Sequence, residues 1–180
     1  MQSLSQQLEN LHGRVCLMCL GNCAGGDDSV GMRLGEILSA RNRKRLPESL
    51  GDRLRFRADE DFKIVMGGAD PEKLLWSGAA DGFDHLIFVD AVDFGGEAGS
   101  IVLLNSRQMT ARFPQVSTHR LSLGLLAQWI ETRGTTQAWL LGVQVESLAA
   151  GQELSPGVQA ALAMLEELLR NRFSAEGIVC

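Results

Sequence analysis

Six consecutive apolar residues, Val15 to Leu20, run straight into Gly21-Asn22. The run is strand length and shows no polar–apolar alternation, so both of its faces need covering. That reads as a central strand of a parallel sheet with helices on either side. The rest of the chain supplies the partners. Phe62 to Met66 reads as a second strand broken by Gly67-Gly68, His85 to Val89 as a third stopping at Asp90, and Ser100 to Leu104 and Ala138 to Val143 as two more. Between them lie helical spacings. Val30 to Ala40 carries Val30, Leu34, Ile37 and Leu38, and Asp70-Pro71 opens a short helix through Trp76. A further helix is predicted from about Thr118 to Arg133. A last one, opened by Ser155-Pro156, presents Val158, Leu162, Leu165, Leu168 and Leu169 on one side. Leu46 to Asp61 is polar and irregular. Leu4, Leu8 and Leu11 mark a short N-terminal helix stopped by Gly13. The pattern predicts an α/β fold: a three-layer sandwich with a twisted, mainly parallel five-stranded sheet between helices. Residues 1–13 read as a helical extension and 14–180 as a single domain.

Composition removes several functions. At 180 residues, 45% hydrophobic and 22% charged, the chain has the balance of one globular domain, with no apolar stretch long enough to span a membrane. A net charge of −5 gives no general attraction to nucleic acid or anionic lipid. The opening MQSLSQQLENLHGR lacks an apolar signal core, so the expected compartment is the cytoplasm, where thiols stay reduced. Cys16-x-x-Cys19-x-x-x-Cys23 looks like a metal cluster. However, Cys16 and Cys19 sit three apart in a strand and face opposite ways. They read as small buried hydrophobes. Cys23 is the one candidate reactive thiol, and Cys180 is a tail residue.

In open α/β sheets ligands bind beyond the carboxyl ends of the strands, so strand ends are where chemistry is sought. After the first strand, Gly21 and Gly26 have the spacing of half a phosphate-binding loop. Where that loop needs Lys and Ser or Thr, this chain has Asp27 and Asp28, which repel phosphate and attract a cation. Either acid also suits the positive end of the following helix as a cap. Asp90 follows four apolar strand residues, with Asp93 close behind; one is a crevice ligand and the other a loop partner, in either order. Of three histidines, His12 and His85 read as surface residues. His119 follows Ser117-Thr118 and precedes an apolar helix, which puts it in a first helical turn, where the dipole favours neutral imidazole. Two carboxylates on strand ends, one from each acidic pair, and the His119 imidazole at a helix start together offer an open oxygen and nitrogen site for a borderline divalent ion such as nickel, zinc or cobalt.

These residues, in this order, resemble the hydrogenase maturation endopeptidases. The family motif G-N-x-x-x-x-D-[D/E]-x-x-G is matched by Gly21, Asn22, Asp27, Asp28 and Gly31. Its G-G turn is matched by Gly67-Gly68, and its D-A-x-D-x-G by Asp90, Ala91, Asp93 and Gly95. Its Thr-His is matched by Thr118-His119, and its late V-G-x-Q context resembles Gly142-Val143-Gln144. The details are most similar to the branch serving formate-hydrogenlyase-type hydrogenases. Met66 stands where the family usually has Asp, and Ala98 where it has the turn proline.

The resemblance implies an endopeptidase that removes the C-terminal extension of a nickel-loaded nickel–iron hydrogenase large-subunit precursor. It implies Asp28, Asp90 and His119 as metal ligands, with the nickel presented by the precursor rather than held permanently. Asp28 or Asp90 is then the base candidate. The alternative is a metal-sensing module that inspects the precursor without cutting it, which Met66 keeps in play. The expected partner is the precursor, with no nucleic acid and no membrane.

Overall fold

A computed structural model describes residues 2–23, 25–42, 61–112, 122–147 and 153–173. Five strands, β1 (Val15–Leu20), β2 (Phe62–Gly68), β3 (His85–Val92), β4 (Ile101–Asn105) and β5 (Gln137–Gln144), form one sheet in the order β2-β1-β3-β5-β4. Every pairing is parallel except β4 with β5. The helices are α1 (Leu4–Glu9), α2 (Val30–Asn42), α3 (Pro71–Trp76), α4 (Ser106–Arg112), α5 (Leu123–Arg133) and α6 (Pro156–Phe173). The predicted three-layer α/β sandwich is therefore the fold.

β1 divides the core. Val15, Leu17 and Cys19 pack with Leu8, Leu11, Val30, Leu34, Val158 and Leu165, so α1, α2 and α6 cover one face. Cys16, Met18 and Leu20 pack with Leu75, Met109, Leu126 and Ile130, so α3, α4 and α5 cover the other. All six β1 residues are buried, as an unalternating apolar run requires. The two cysteines face opposite layers as predicted. Burial pushes the Cys16 thiol up to about 12, against the pull of Lys63, and drives Cys19 further in the same direction.

Four local readings change. The Gly67-Gly68 pair does not end β2. Leu20 pairs with Gly68 after Cys19 pairs with Met66, so Gly67 is the extra residue of a bulge. A side chain there would meet Leu20 Cδ2 at 2.5 Å. β3 runs two residues beyond Asp90, because β5 is long enough to pair Asp90, Ala91 and Val92 with Gly142, Val143 and Gln144. The helix α4 went unread, although Asn105 and Gln108 form a reciprocal cap at 2.9 and 3.0 Å. Finally, α5 starts at Leu123, where Ser122 caps it through Leu125 N–H. The helix predicted from about Thr118 thus begins at Leu123, and His119 lies outside the described residues. The predicted irregular stretch also falls outside them, apart from Asp61.

α1 carries a Ser3–Gln6 capping box. Arg172 of α6 holds it down, donating to Leu8 O at 3.1 Å and Leu11 O at 2.6 Å. No helix among the described residues is long and apolar enough to cross a membrane.

Candidate active site

The sheet order creates the crevice. From β1 the chain goes outward to β2, then crosses back to place β3 on the other side of β1. The carboxyl ends of β1 and β3 are therefore the topological switch point, where connecting loops diverge and leave room for a ligand. The loop after β1 carries Asp27 and Asp28 in a 3₁₀ turn, Gly26–Ser29, which packs against β3. Gly21 has φ +115, and a side chain on it would collide with Asp28 O, so glycine is required for the turn to fold back. Gly31 brings the start of α2 against Leu20 O and Val89 O, seating the helix on both strand ends.

The two acids of the turn do different jobs. Asp27 is 4% exposed and serves as an acceptor only. Its Oδ1 takes Ser155 N–H at 2.6 Å, and its Oδ2 takes Glu146 N–H and the Ser155 hydroxyl, both at 2.9 Å. Burial opposes its charge, but these bonds and one from Ser147 outweigh it and hold the carboxyl below its ordinary range. Neither acid makes a side-chain cap on the 3₁₀ turn. Asp28 Oδ2 accepts Asn22 N–H at 3.2 Å, while Oδ1 is buried with no partner. Three buried side-chain atoms among the described residues are in this condition, the others being Ser39 Oγ and Glu72 Oε2. Only Asp28 Oδ1 belongs to the switch-point loop. An unpaired buried acceptor costs about 1–3 kcal/mol, so a native one calls for a function. A cation or a donated N–H or O–H would satisfy such an oxygen.

Asp90 is 3% exposed, and its Oδ1 accepts Ala91 N–H at 3.0 Å. Phe88 and Val92 belong to the α3–α5 layer, so alternation places the Asp90 side chain on that side. It stands one residue beyond the last β1 pairing, Cys19 with Val89, where β1 leaves its flank. Asp93 turns out to be the loop partner. Its Oδ1 accepts Gly95 N–H at 3.1 Å and the Gln144 amide at 3.0 Å, and these two bonds, Gln144 first, lower its pKa.

Gln144 escaped the sequence reading as a functional side chain. It is buried, and its Oε1 accepts Phe94 N–H at 2.8 Å and Gly96 N–H at 3.0 Å. Its Nε2 also donates to Val145 O at 2.9 Å. A cleft of about 590 Å³ lies beside it, lined by Asp93, Gly96, Ala98, Gln144 and Glu146. No local signal marks this role, since its partners lie about fifty residues away in the chain.

Two of the three predicted ligands, Asp28 and Asp90, thus flank the switch point. Among the described residues no group of three or more His, Cys, Asp or Glu side chains is placed to hold a metal ion. The Asp28 and Asp90 side chains both end in carboxylate oxygens, donors of the hard type. Met66 packs inward, with its Sδ against Gly35 of α2, so its position serves packing rather than the crevice. Cys23 is exposed and free, beside a surface hollow formed with Met32, Arg33 and Leu162.

A family model described as HycI, hydrogenase maturation protease, matches residues 45–171, more than half of the chain. Among solved structures, the chain is similar to the [NiFe] hydrogenase maturation protease HycI from Thermococcus kodakarensis. The identity is 26%, covering 94% of this chain and 98% of that one, with a TM-score of 0.72. It is similar to the hydrogenase maturating endopeptidase HybD from Escherichia coli at 26% identity, covering 89% and 94%, with a TM-score of 0.64. The endopeptidase HycI from Escherichia coli shares the fold at 21% identity, covering 86% and 87%, with a TM-score of 0.66. No curated protein sequence matches the chain.

Proposed function

The chain belongs to the hydrogenase maturation protease family, and from that premise we propose that it removes the C-terminal extension of a nickel–iron hydrogenase large-subunit precursor once nickel has been loaded. The observation that carries the reading is Asp28 Oδ1, a buried carboxylate oxygen with no donor at the mouth of the switch point. In this reading the nickel arrives as part of the substrate. Asp28, Asp90 and His119 receive it, and an empty precursor, which brings no ion to them, is rejected.

Cleavage then needs one more act from the chain. Water attacks the scissile carbonyl carbon, Asp28 or Asp90 takes the proton, and that proton passes to the departing amine nitrogen. Positioning of the peptide against the bound ion supplies the remainder of the acceleration. The compartment proposed is the cytoplasm. Met66 favours the non-cutting module only if its position bears on the crevice, and its inward packing removes that ground.

The test is to incubate the purified protein with nickel-loaded and nickel-free precursor and follow shortening by mass. Shortening of the loaded form alone is expected. Shortening of neither would establish a binding module, and shortening of both would remove nickel sensing. Asp28→Asn and His119→Ala should each abolish processing with an unchanged circular dichroism spectrum; full activity in either would strike that residue from the site.

A further inference from the structure

The Asp28 turn and the loop after Asp90 do not touch solvent-side partners at random; both are moored to the same place. Asp27, next to Asp28, is bonded to Glu146, two residues beyond β5, and to Ser155, which immediately precedes α6 at the far end of the same connection. Phe94, Gly96 and Asp93, just beyond Asp90, are bonded to the side chain of Gln144, the last residue of β5. The backbone repeats the pattern, with Val145 N–H donating to Val92 O at 3.2 Å and Gly99 N–H to Gln144 O at 2.8 Å.

We propose that the end of β5 sets the separation of Asp28 and Asp90, with Asp27 and Gln144 as the positioning residues. This rests on the reading above that the two carboxylates receive the precursor's metal. Adjacent residues of a 3₁₀ turn point about 120° apart. With Asp27 drawn towards Glu146 and Ser155, Asp28 is turned away, back over Asn22. Asp27 is also disqualified as a ligand, because its oxygens already accept these three bonds and one from Ser147. Gln144 is saturated in the same way, accepting two and donating two. Asp27 spends its bonding on the connection after β5, and Gln144 on the loop after β3 and its neighbour Val145. Releasing either mooring frees one carboxylate relative to the other, and an open site with few ligands tolerates that poorly.

The experiment uses the full chain. Cadmium ion alone serves as the affinity probe by calorimetry, and kcat and KM are measured on nickel-loaded precursor. The variants are Asp27→Asn, Gln144→Ala, Ser155→Ala and Asp28→Asn. Ser155→Ala loses one hydroxyl donor and keeps the backbone bond, so it reports even if Asp27→Asn does not fold. Asp27→Asn and Gln144→Ala should weaken cadmium binding and lower kcat by about 10–100-fold with KM little changed. Ser155→Ala should move the same way by less. On an Asp28→Asn background, Asp27→Asn should add no further loss of cadmium affinity. If Asp28→Asn weakens binding while the folded mooring variants keep wild-type affinity and kcat, the positioning role is overturned and the site stands. If Asp28→Asn itself binds cadmium as wild type, the site reading falls and this inference falls with it.

Discussion

Gly31 sits in the first turn of α2 where the helix meets two strand ends, and a methyl group there has no space. Its Cβ would lie 2.5 Å from Leu20 O and 3.1 Å from Leu20 N, with Val89 O as close on the other side. All of these are backbone atoms of the sheet, so the helix start must yield. An ordinary contact needs about 3.4 Å, which moves the beginning of α2 outward by about 0.9 Å. Overpacking of this kind costs about 1–3 kcal/mol, and Ala regains about 1 kcal/mol over Gly in helix propensity. The net loss for Gly31→Ala is then about 0–2 kcal/mol, survivable against a typical total of about 5–15 kcal/mol. Activity should suffer far more. The displaced turn carries Asp28, and a misplacement of about 1 Å costs on the order of 100-fold. Urea unfolding gives the stability change, and rates of precursor shortening give the activity. A folded Gly31→Ala protein that processes precursor within about threefold of wild type would refute the argument that this contact sets the site.

Two further outcomes follow from the buried titratable groups. The His85 ring accepts Trp139 Nε1–H at Nδ1 (3.2 Å), so the neutral ring carries its proton on Nε2 and donates it to His12 O at 3.0 Å. Burial lowers the pKa; the His12 carbonyl bond and Asp84 oppose that, while His12 and Arg172 add to it. A depressed histidine contributes stability that is complete above its unfolded value of about 6.5 and is lost as pH falls through the lower folded value. The urea midpoint should therefore drop as pH falls from about 6.5 to the lower folded value, and His85→Gln should flatten that part of the profile; an equal drop in both proteins would exclude His85 as the cause. For the thiols, a disulfide reagent near neutral pH should label exposed Cys23 and leave Cys16 and Cys19 untouched in the folded chain. Precursor cleavage should survive that labelling, and its loss would revive Cys23 as nucleophile.

The β1 run shows why much of the fold was legible. Its six apolar residues demanded cover on both faces, and period-two alternation assigned Cys16 and Cys19 to opposite layers before any contact was known. The errors fell at element ends. Asp90 read as a terminus because a carboxylate usually stops an apolar strand, yet β5 supplied a ladder partner two residues further. Gly67-Gly68 read as a break because a bulge and a chain reversal look alike in sequence. The helix α5 read as starting at about Thr118 because Ser117-Thr118 and Ser122 are equally good cap types; the cap is Ser122.

What the sequence determined alone was whatever depends on near neighbours: the strands and helices, the faces they bury, and the loop after β1 as a carrier of acids rather than phosphate ligands. The division of labour between Asp27 and Asp28 was beyond it. Both have the same chemistry in adjacent positions, and they differ only in what meets them. Asp27 is met by donors 119 and 128 residues away, and one oxygen of Asp28 by none. Partners that distant in the chain are brought to a carboxylate only by the packing of α6 and β5 beside the first loop, so tertiary structure decided which acid is anchored and which keeps an oxygen without a donor.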